Sequence, residues 1–185
     1  MPDTELIILT PVYNDWDAFC QLLSELDAAL AALPTKTTAC VVAIDDGSSE
    51  RPDDRLRGLA FHNLLRVEIL ELVSNMGHQK AIAIGLSYVQ RQHQLPVIVM
   101  DADGEDRPGD IPRLLAETER HPESVIFARR SKRSEGFLFA ALYQVYRRMF
   151  QWLTGHDISF GNFCLIPPSL LRRIVHLPAI WNHLA

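Results

Sequence analysis

The chain has 185 residues, 48% hydrophobic and 22% charged, with a net charge of −5. That length supports one domain with a sizeable core, and that balance excludes a disordered chain. The acidic charge excludes a protein whose whole surface grips nucleic acid, so any anion it binds must be held locally.

Residues 6–9, Leu-Ile-Ile-Leu, read as a buried strand. Between residues 15 and 33 the apolar positions Phe19, Leu22, Leu23, Leu26, Ala29, Leu30 and Leu33 follow a helical period. Asn14 is the expected N-cap, Asp17 suits the first turn, and Pro34 stops the helix. Residues 40–44 and 67–72 read as the second and third strands. The stretch 47–63 lacks a pattern but has room for a weak helix.

A helix is expected over 78–92, a fourth strand over 96–100, a helix opening at Pro108, and a fifth strand over 124–128. Residues 137–154 are the clearest amphipathic helix, with Leu138, Ala141, Leu142, Val145, Tyr146, Met149 and Leu153 as its buried stripe. After a loop come residues 161–166 and a short helix near 170–175. Apolar strands alternating with helices imply an α/β fold, a mostly parallel twisted sheet covered on both faces. No internal repeat or low-complexity segment interrupts it.

The cysteines Cys20, Cys40 and Cys164 are odd in number and far apart, without zinc spacing or a disulfide framework. They fit a reducing cytosolic setting, and Cys40 and Cys164, in apolar stretches, read as core residues. The N-terminus has no signal-peptide pattern, and no apolar run approaches the ~18 residues that span a bilayer. This polypeptide is therefore expected not to cross a membrane itself.

Ligands of open parallel sheets bind outside the carboxyl ends of the strands, and the polar signals concentrate there. Strand one ends in Thr10-Pro11-Val12-Tyr13-Asn14, strand two in Asp45-Asp46-Gly47-Ser48, and strand four in Asp101-Ala102-Asp103-Gly104-Glu105. In extended backbone alternate residues face one way, so Asp101, Asp103 and Glu105 are expected on one side. Clustered carboxylates repel unless a cation lies between them, and hard oxygen ligands suit Mg²⁺ or Mn²⁺. The competing reading is a turn of helix-capping acids with Asp106 as the cap. At Asp45 and Asp46 the carboxylates can accept hydrogen bonds from a nucleobase or ribose, although an Asp-Gly turn alone needs no ligand.

Gly77, Ala81 and Gly85 recur every four residues, so one helix face can approach the sheet or a ligand closely. Lys80 is placed to meet a phosphate or to be a solvated surface lysine. His78 reads as a capping or packing residue. Arg129-Arg130-Ser131-Lys132-Arg133 sets four cations in five residues after strand five, either a phosphate site on the ligand edge or a solvated loop.

In this order these motifs resemble family-2 glycosyltransferases of the GT-A type, particularly the polyprenyl- and dolichyl-phosphate sugar synthases. The matching pieces are Thr10-Pro11-Val12-Tyr13-Asn14, Asp45-Asp46-Gly47-Ser48, Asn75-x-Gly77-x-x-x-Ala81, Asp101-Ala102-Asp103, Arg130-x-x-Arg133 and Gly161-Asn162-Phe163. The resemblance implies a Rossmann-like GT-A fold and transfer of a sugar, with inversion, from a UDP- or GDP-sugar. It implies that Pro11, Tyr13 and Asp46, with Asp45 nearby, hold base and ribose. Asp101 and Asp103 would hold Mg²⁺ or Mn²⁺ on the diphosphate, with Glu105 completing the shell where relatives often carry glutamine. Arg130 and Arg133 would meet phosphates of donor or acceptor.

Two departures qualify it. Relatives commonly carry Gly-Asp-Phe where this chain has Gly161-Asn162-Phe163, and asparagine cannot be a general base. Asp157 is the nearby substitute. A lipid-phosphate acceptor is already an anionic nucleophile and needs little help from a base, so the departure favours a polyprenyl phosphate. That acceptor would place the full-length protein at the cytosolic face of a membrane, peripheral or tethered, with Arg147, Arg148, Arg172 and Arg173 available to anionic headgroups. The second departure is the ending at Ala185, where relatives continue; the expectation is one donor-binding GT-A domain, 1–185, truncated at its C-terminus.

A nucleotide-sugar-binding module without transfer activity shares the donor motifs and is the main rival. A response-regulator receiver needs a lone phosphorylatable aspartate and fits Asp101-Ala102-Asp103 poorly. A nucleotidyltransferase would need a glycine-rich phosphate loop after strand one, which is absent.

Overall fold

The computed structural model describes residues 4–51, 53–129, 160–182 and 184. The helix expected over 137–154 and the candidates Arg130, Arg133 and Asp157 lie outside the described residues.

Among the described residues six strands form one sheet: β1 Thr4–Val12, β2 Thr37–Asp45, β3 Leu64–Glu71, β4 Val97–Val99, β5 Ile126–Arg129 and β6 Phe160–Ile166. Their order across the sheet is β3-β2-β1-β4-β6-β5. β1 pairs in parallel with β2 and β4, and β2 with β3, while β6 runs antiparallel between β4 and β5. Periodicity alone left residues 160–166 without an element type. Pairing to β4 on one side and β5 on the other makes them a strand.

The helices are α1 Trp16–Ala31, α2 Asp53–Leu56, α3 His78–Gln92, α4 Ile111–Arg120 and α5 Pro168–Ile174. Alternation along the strands divides the core. Leu6, Ile8, Val41 and Ala43 face a cluster with Trp16, Phe19, Leu23, Leu26, Ile111 and Leu114 of α1 and α4. Ile7, Leu9, Val42 and Ile44 face a second cluster with Ile82, Leu86 and Val89 of α3 and Leu171 of α5. The sheet is thus covered on both faces, as near-continuous apolar strands require. Cys40 and Cys164 are buried in the second cluster, and burial pushes both thiols up, which keeps them inert.

The small face of α3 has a steric cause. A Cβ on Gly85 would lie 2.7 Å from Leu9 Cδ1 and 2.8 Å from Ile44 Cγ1, so glycine lets this helix sit directly on the strands. Buried Ala81 continues that face toward the strand ends.

The expected cap of α1 is corrected. Asp15 is the N-cap residue and makes no side-chain cap bond. Asn14 adopts φ 55°, and its Oδ1 accepts the Ser49 N–H at 2.8 Å and the Ser49 hydroxyl at 3.0 Å. Its side chain fastens two loops together. The Asp106 cap reading also fails: Arg107 precedes the 3-10 turn Pro108–Asp110 that leads into α4, and Asp106 Oδ2 accepts the Asp101 N–H at 2.8 Å.

Candidate active site

The carboxyl ends of β1, β2 and β4, the loop after β3 and the start of α3 meet at one edge of the sheet. Backbone bonds keep that edge closed beyond the ladders: Asp46 N–H donates to Val12 O and Leu72 N–H to Asp45 O, each at 2.9 Å. A cleft of about 170 Å³ opens there, lined by Pro11, Val12, Tyr13, Asp46, Asn75, Gly77 and His78.

Asp45 and Asp46 are buried, and both build loops. Asp45 Oδ1 accepts the Ser48 N–H at 2.8 Å, closing the turn after β2. Asp46 receives the Met76 N–H on Oδ1 at 2.7 Å and the Gly77 N–H on Oδ2 at 3.0 Å. Each carboxylate oxygen has a second acceptor site, so Asp46 fastens the 75–77 loop and still presents charge to the cleft. Gly47, at φ 75°, permits the approach: a Cβ there would be 2.6 Å from the Asn75 nitrogen and 2.7 Å from the Ser74 carbonyl carbon. Tyr13, 53% exposed, stands at the rim as a flat apolar wall.

On the β4 side the expectation of three carboxylates facing one way is corrected. Residues 101–106 bend instead of extending, with Gly104 at φ 80°. Asp101 is largely buried, Asp103 and Glu105 are exposed, and Asp103 Oδ1 accepts the Glu105 N–H at 2.9 Å. Among the described residues no three acidic, histidine or cysteine side chains form a metal cluster. A cation that shares its shell with a diphosphate needs only one or two protein carboxylates. Asp101 and Asp103, hard oxygen donors beside the cleft, fit that role; Glu105 is not gathered with them as a third ligand.

His78, read from sequence as a cap or packing residue, belongs to the site. It lines the cleft, and its Nε2 lies 3.2 Å from Asp101 Oδ1 and 2.8 Å from Asn162 Nδ2. The hydrogen bond to Asp101 raises the His78 pKa, burial opposes that rise, and the charges of Asp101, Asp103 and Asp46 add to it. Gln79 Nε2 donates to Asn162 Oδ1 at 3.0 Å, so β6 is tied to the first turn of α3. Lys80, in that same turn, is exposed. The available signal for His78 was its place directly after Gly77, where α3 begins at the strand-end edge.

The sequence model described as Glycosyl transferase family 2 matches residues 7–174. Similar curated proteins include the undecaprenyl-phosphate 4-deoxy-4-formamido-L-arabinose transferases of Klebsiella pneumoniae and Edwardsiella ictaluri. The first is 30% identical over 174 residues, 94% of this chain and 51% of that protein. The second is 29% identical, covering 91% and 51%. The chain thus spans about half the length of these relatives.

Among solved structures, S. aureus TarS 1-349 in complex with UDP superposes with TM-score 0.55 at 19% identity, covering 92% of this chain and 49% of that one. The mannosyltransferase PcManGT from Pyrobaculum calidifontis, in complex with GDP-Man and Mn²⁺, gives 0.53 at 18% identity, covering 91% and 46%. These likenesses establish the GT-A fold, in agreement with the sheet order described above. The family match, spanning nearly all of the chain, closes the question of kinship: this protein belongs to glycosyl transferase family 2.

Proposed function

We propose that residues 1–185 form the donor-binding domain of an enzyme that transfers a sugar, with inversion, from a UDP- or GDP-sugar to a polyprenyl phosphate. The observation that carries this reading is the convergence of the end of β1, the loop after β2 and the start of α3 on one cleft with buried Asp46 in its wall, and the contact of cleft-lining His78 with Asp101 after β4.

Pro11 and Tyr13 wall the base, and Asp46, with Asp45 shaping the turn beside it, faces the nucleoside. Asp101 and Asp103 would hold Mg²⁺ or Mn²⁺, with Lys80 near the diphosphate. The bound cation supplies charge neutralisation for the departing nucleoside diphosphate. Arg130 and Arg133 serve the phosphates of donor or acceptor. Asp157 is the reserve base, needed only if the acceptor is a hydroxyl.

The acceptor reading draws on two observations. The curated relatives are named for transfer involving undecaprenyl phosphate. Asn162, which cannot deprotonate a hydroxyl, sits in the site beside His78. Such an acceptor places the full-length enzyme at the cytosolic face of a membrane. Among the described residues no helix is long and apolar enough to cross one. A peripheral or tethered association is consistent with that.

A membrane-reconstituted assay of the full-length protein with radiolabelled UDP- and GDP-sugars tests the proposal. Label is expected in the lipid-phosphate fraction, with the anomeric configuration inverted. Label confined to soluble glycan or protein overturns the acceptor. Donor binding with no transfer to any fraction leaves a nucleotide-sugar-binding module.

A further inference from the structure

Asn162 occupies the position where the resemblance leads one to expect an acid, and the donor reading gives it no task. Its surroundings supply one. Its amide lies between His78 and Gln79, two successive residues of the first turn of α3. His78 in turn reaches Asp101 at the end of β4. Four side chains from three elements therefore form one polar chain, Gln79–Asn162–His78–Asp101.

The chain has a preferred direction. His78 Nε2 cannot donate to Asp101 and accept from Asn162 at the same time. If Nε2 carried no proton, its lone pair would face the Asp101 carboxylate at 3.2 Å, a repulsive contact. With the proton on Nε2, Asp101 accepts it, and both amides take the reverse orientation: the Asn162 oxygen faces His78 and the Asn162 NH₂ donates to the Gln79 side-chain oxygen. An aspartate at position 162 would instead bring a second anion to His78 and compete with Asp101 for it. A neutral amide braces the ring without competing.

We propose that His78 is a positioning residue for the Asp101 carboxylate, braced by Asn162 and Gln79, and that Asn162 is suited to this task because it is neutral. In this role His78 acts through Asp101. It holds one carboxylate of a diphosphate–cation site in the orientation that binding requires. The inference rests on the reading of Asp101 as part of the donor site.

The test is calorimetry of UDP and GDP binding by the protein, with Mn²⁺ and with a chelator, alongside thermal unfolding. His78→Ala is expected to weaken the Mn²⁺-dependent affinity by about tenfold, the scale of one hydrogen bond to a charged group, and to leave the chelator affinity unchanged. His78→Gln, which keeps an N–H donor, should recover most of the loss. Asn162→Ala should give a partial loss, and adding it to His78→Ala should cost nothing more, because both act through one chain. Asn162→Asp should weaken Mn²⁺-dependent binding as well. Equal losses with and without Mn²⁺, wild-type affinity in His78→Ala, or full additivity of the double variant would overturn the inference. If the wild-type protein binds neither nucleotide, the donor reading itself fails, and this inference with it.

Discussion

On the β1–β2–β3 half of the strand-end edge buried Asp46 ties two loops together, whereas on the β4–β6 half Asp103 and Asp106 bond backbone only within their own 101–106 turn and Asp101 meets a side chain. Asp45 and Asp46 are buried and accept N–H groups of Ser48, Met76 and Gly77. Asn14 does the same for Ser49. Behind His78, which lines the cleft, Asp101 Oδ1 lies 3.2 Å from its ring nitrogen, while Asp103 and Glu105 are exposed. The first half is a frame whose carboxylates hold backbone before any ligand arrives. The second presents carboxylate oxygens, those of Asp103 and Glu105 on exposed side chains, to which the proposed cation could bind. Preorganised loops and available ligands are different requirements, and one motif type, an aspartate pair after a strand, meets both.

Substitutions should separate the halves. The largest effect is expected at Asp103→Ala, which should lower UDP or GDP affinity in Mn²⁺ by roughly a hundredfold and leave thermal stability within about 0.5 kcal/mol, as befits an exposed side chain. Calorimetry with and without Mn²⁺ reads it; wild-type affinity would remove the metal assignment.

Asp46→Asn should act on the frame. The amide sets an NH₂ against the N–H of Met76 or Gly77, so unfolding free energy should fall by about 2–3 kcal/mol. Nucleoside affinity should drop by the same factor with Mn²⁺ or chelator. An effect that vanishes on chelation would move Asp46 to the metal half.

Gly47→Ala should cost about 2 kcal/mol through its left-handed backbone and the approach of its Cβ to the Asn75 backbone. Denaturant unfolding measures it. A variant as stable as wild type would mean that the 74–75 loop yields easily and the frame is softer than described.

The smallest effect concerns pH in the metal-free protein. Because its folded-state pKa is raised by Asp101, His78 contributes stability that is fully present below its ordinary value of 6.5 and is lost as pH rises through the raised value. Solvent screening keeps this small, since the side chain is 46% exposed. The difference in Tm between wild type and His78→Gln, in chelator, should therefore narrow between pH 5.5 and pH 8. A difference that widens would show that His78 is not stabilised as a cation by Asp101.

Much of the frame was legible before the fold was known. The 3.6-residue period of α1, the small face of α3 and the apolar runs of β1 and β2 are local patterns that burial enforces. The strand ends after β1, β2 and β4 marked the candidate site because parallel sheets open their clefts there. What was illegible involved distant partners. Asn14 has the composition of a helix cap, yet Ser48 and Ser49, more than thirty residues on, claim it. The bend at Gly104 overrode the alternation assumed for Asp101, Asp103 and Glu105.

Sequence by itself determined the α/β class, the family and the edge at which the polar motifs gather, because periodicity and motif order are properties of the chain alone. Only the tertiary structure decided that Asp46 holds the loop after β3 and that residues 160–166 enter the sheet antiparallel. It also decided that His78 and Asn162, eighty-four positions apart, come within 2.8 Å of each other beside Asp101. Hydrogen-bond partners that distant are set by how strands and helices pack. No local pattern records that packing, and a polar side chain's identity states only what it can bond, not which neighbour the fold will bring to it.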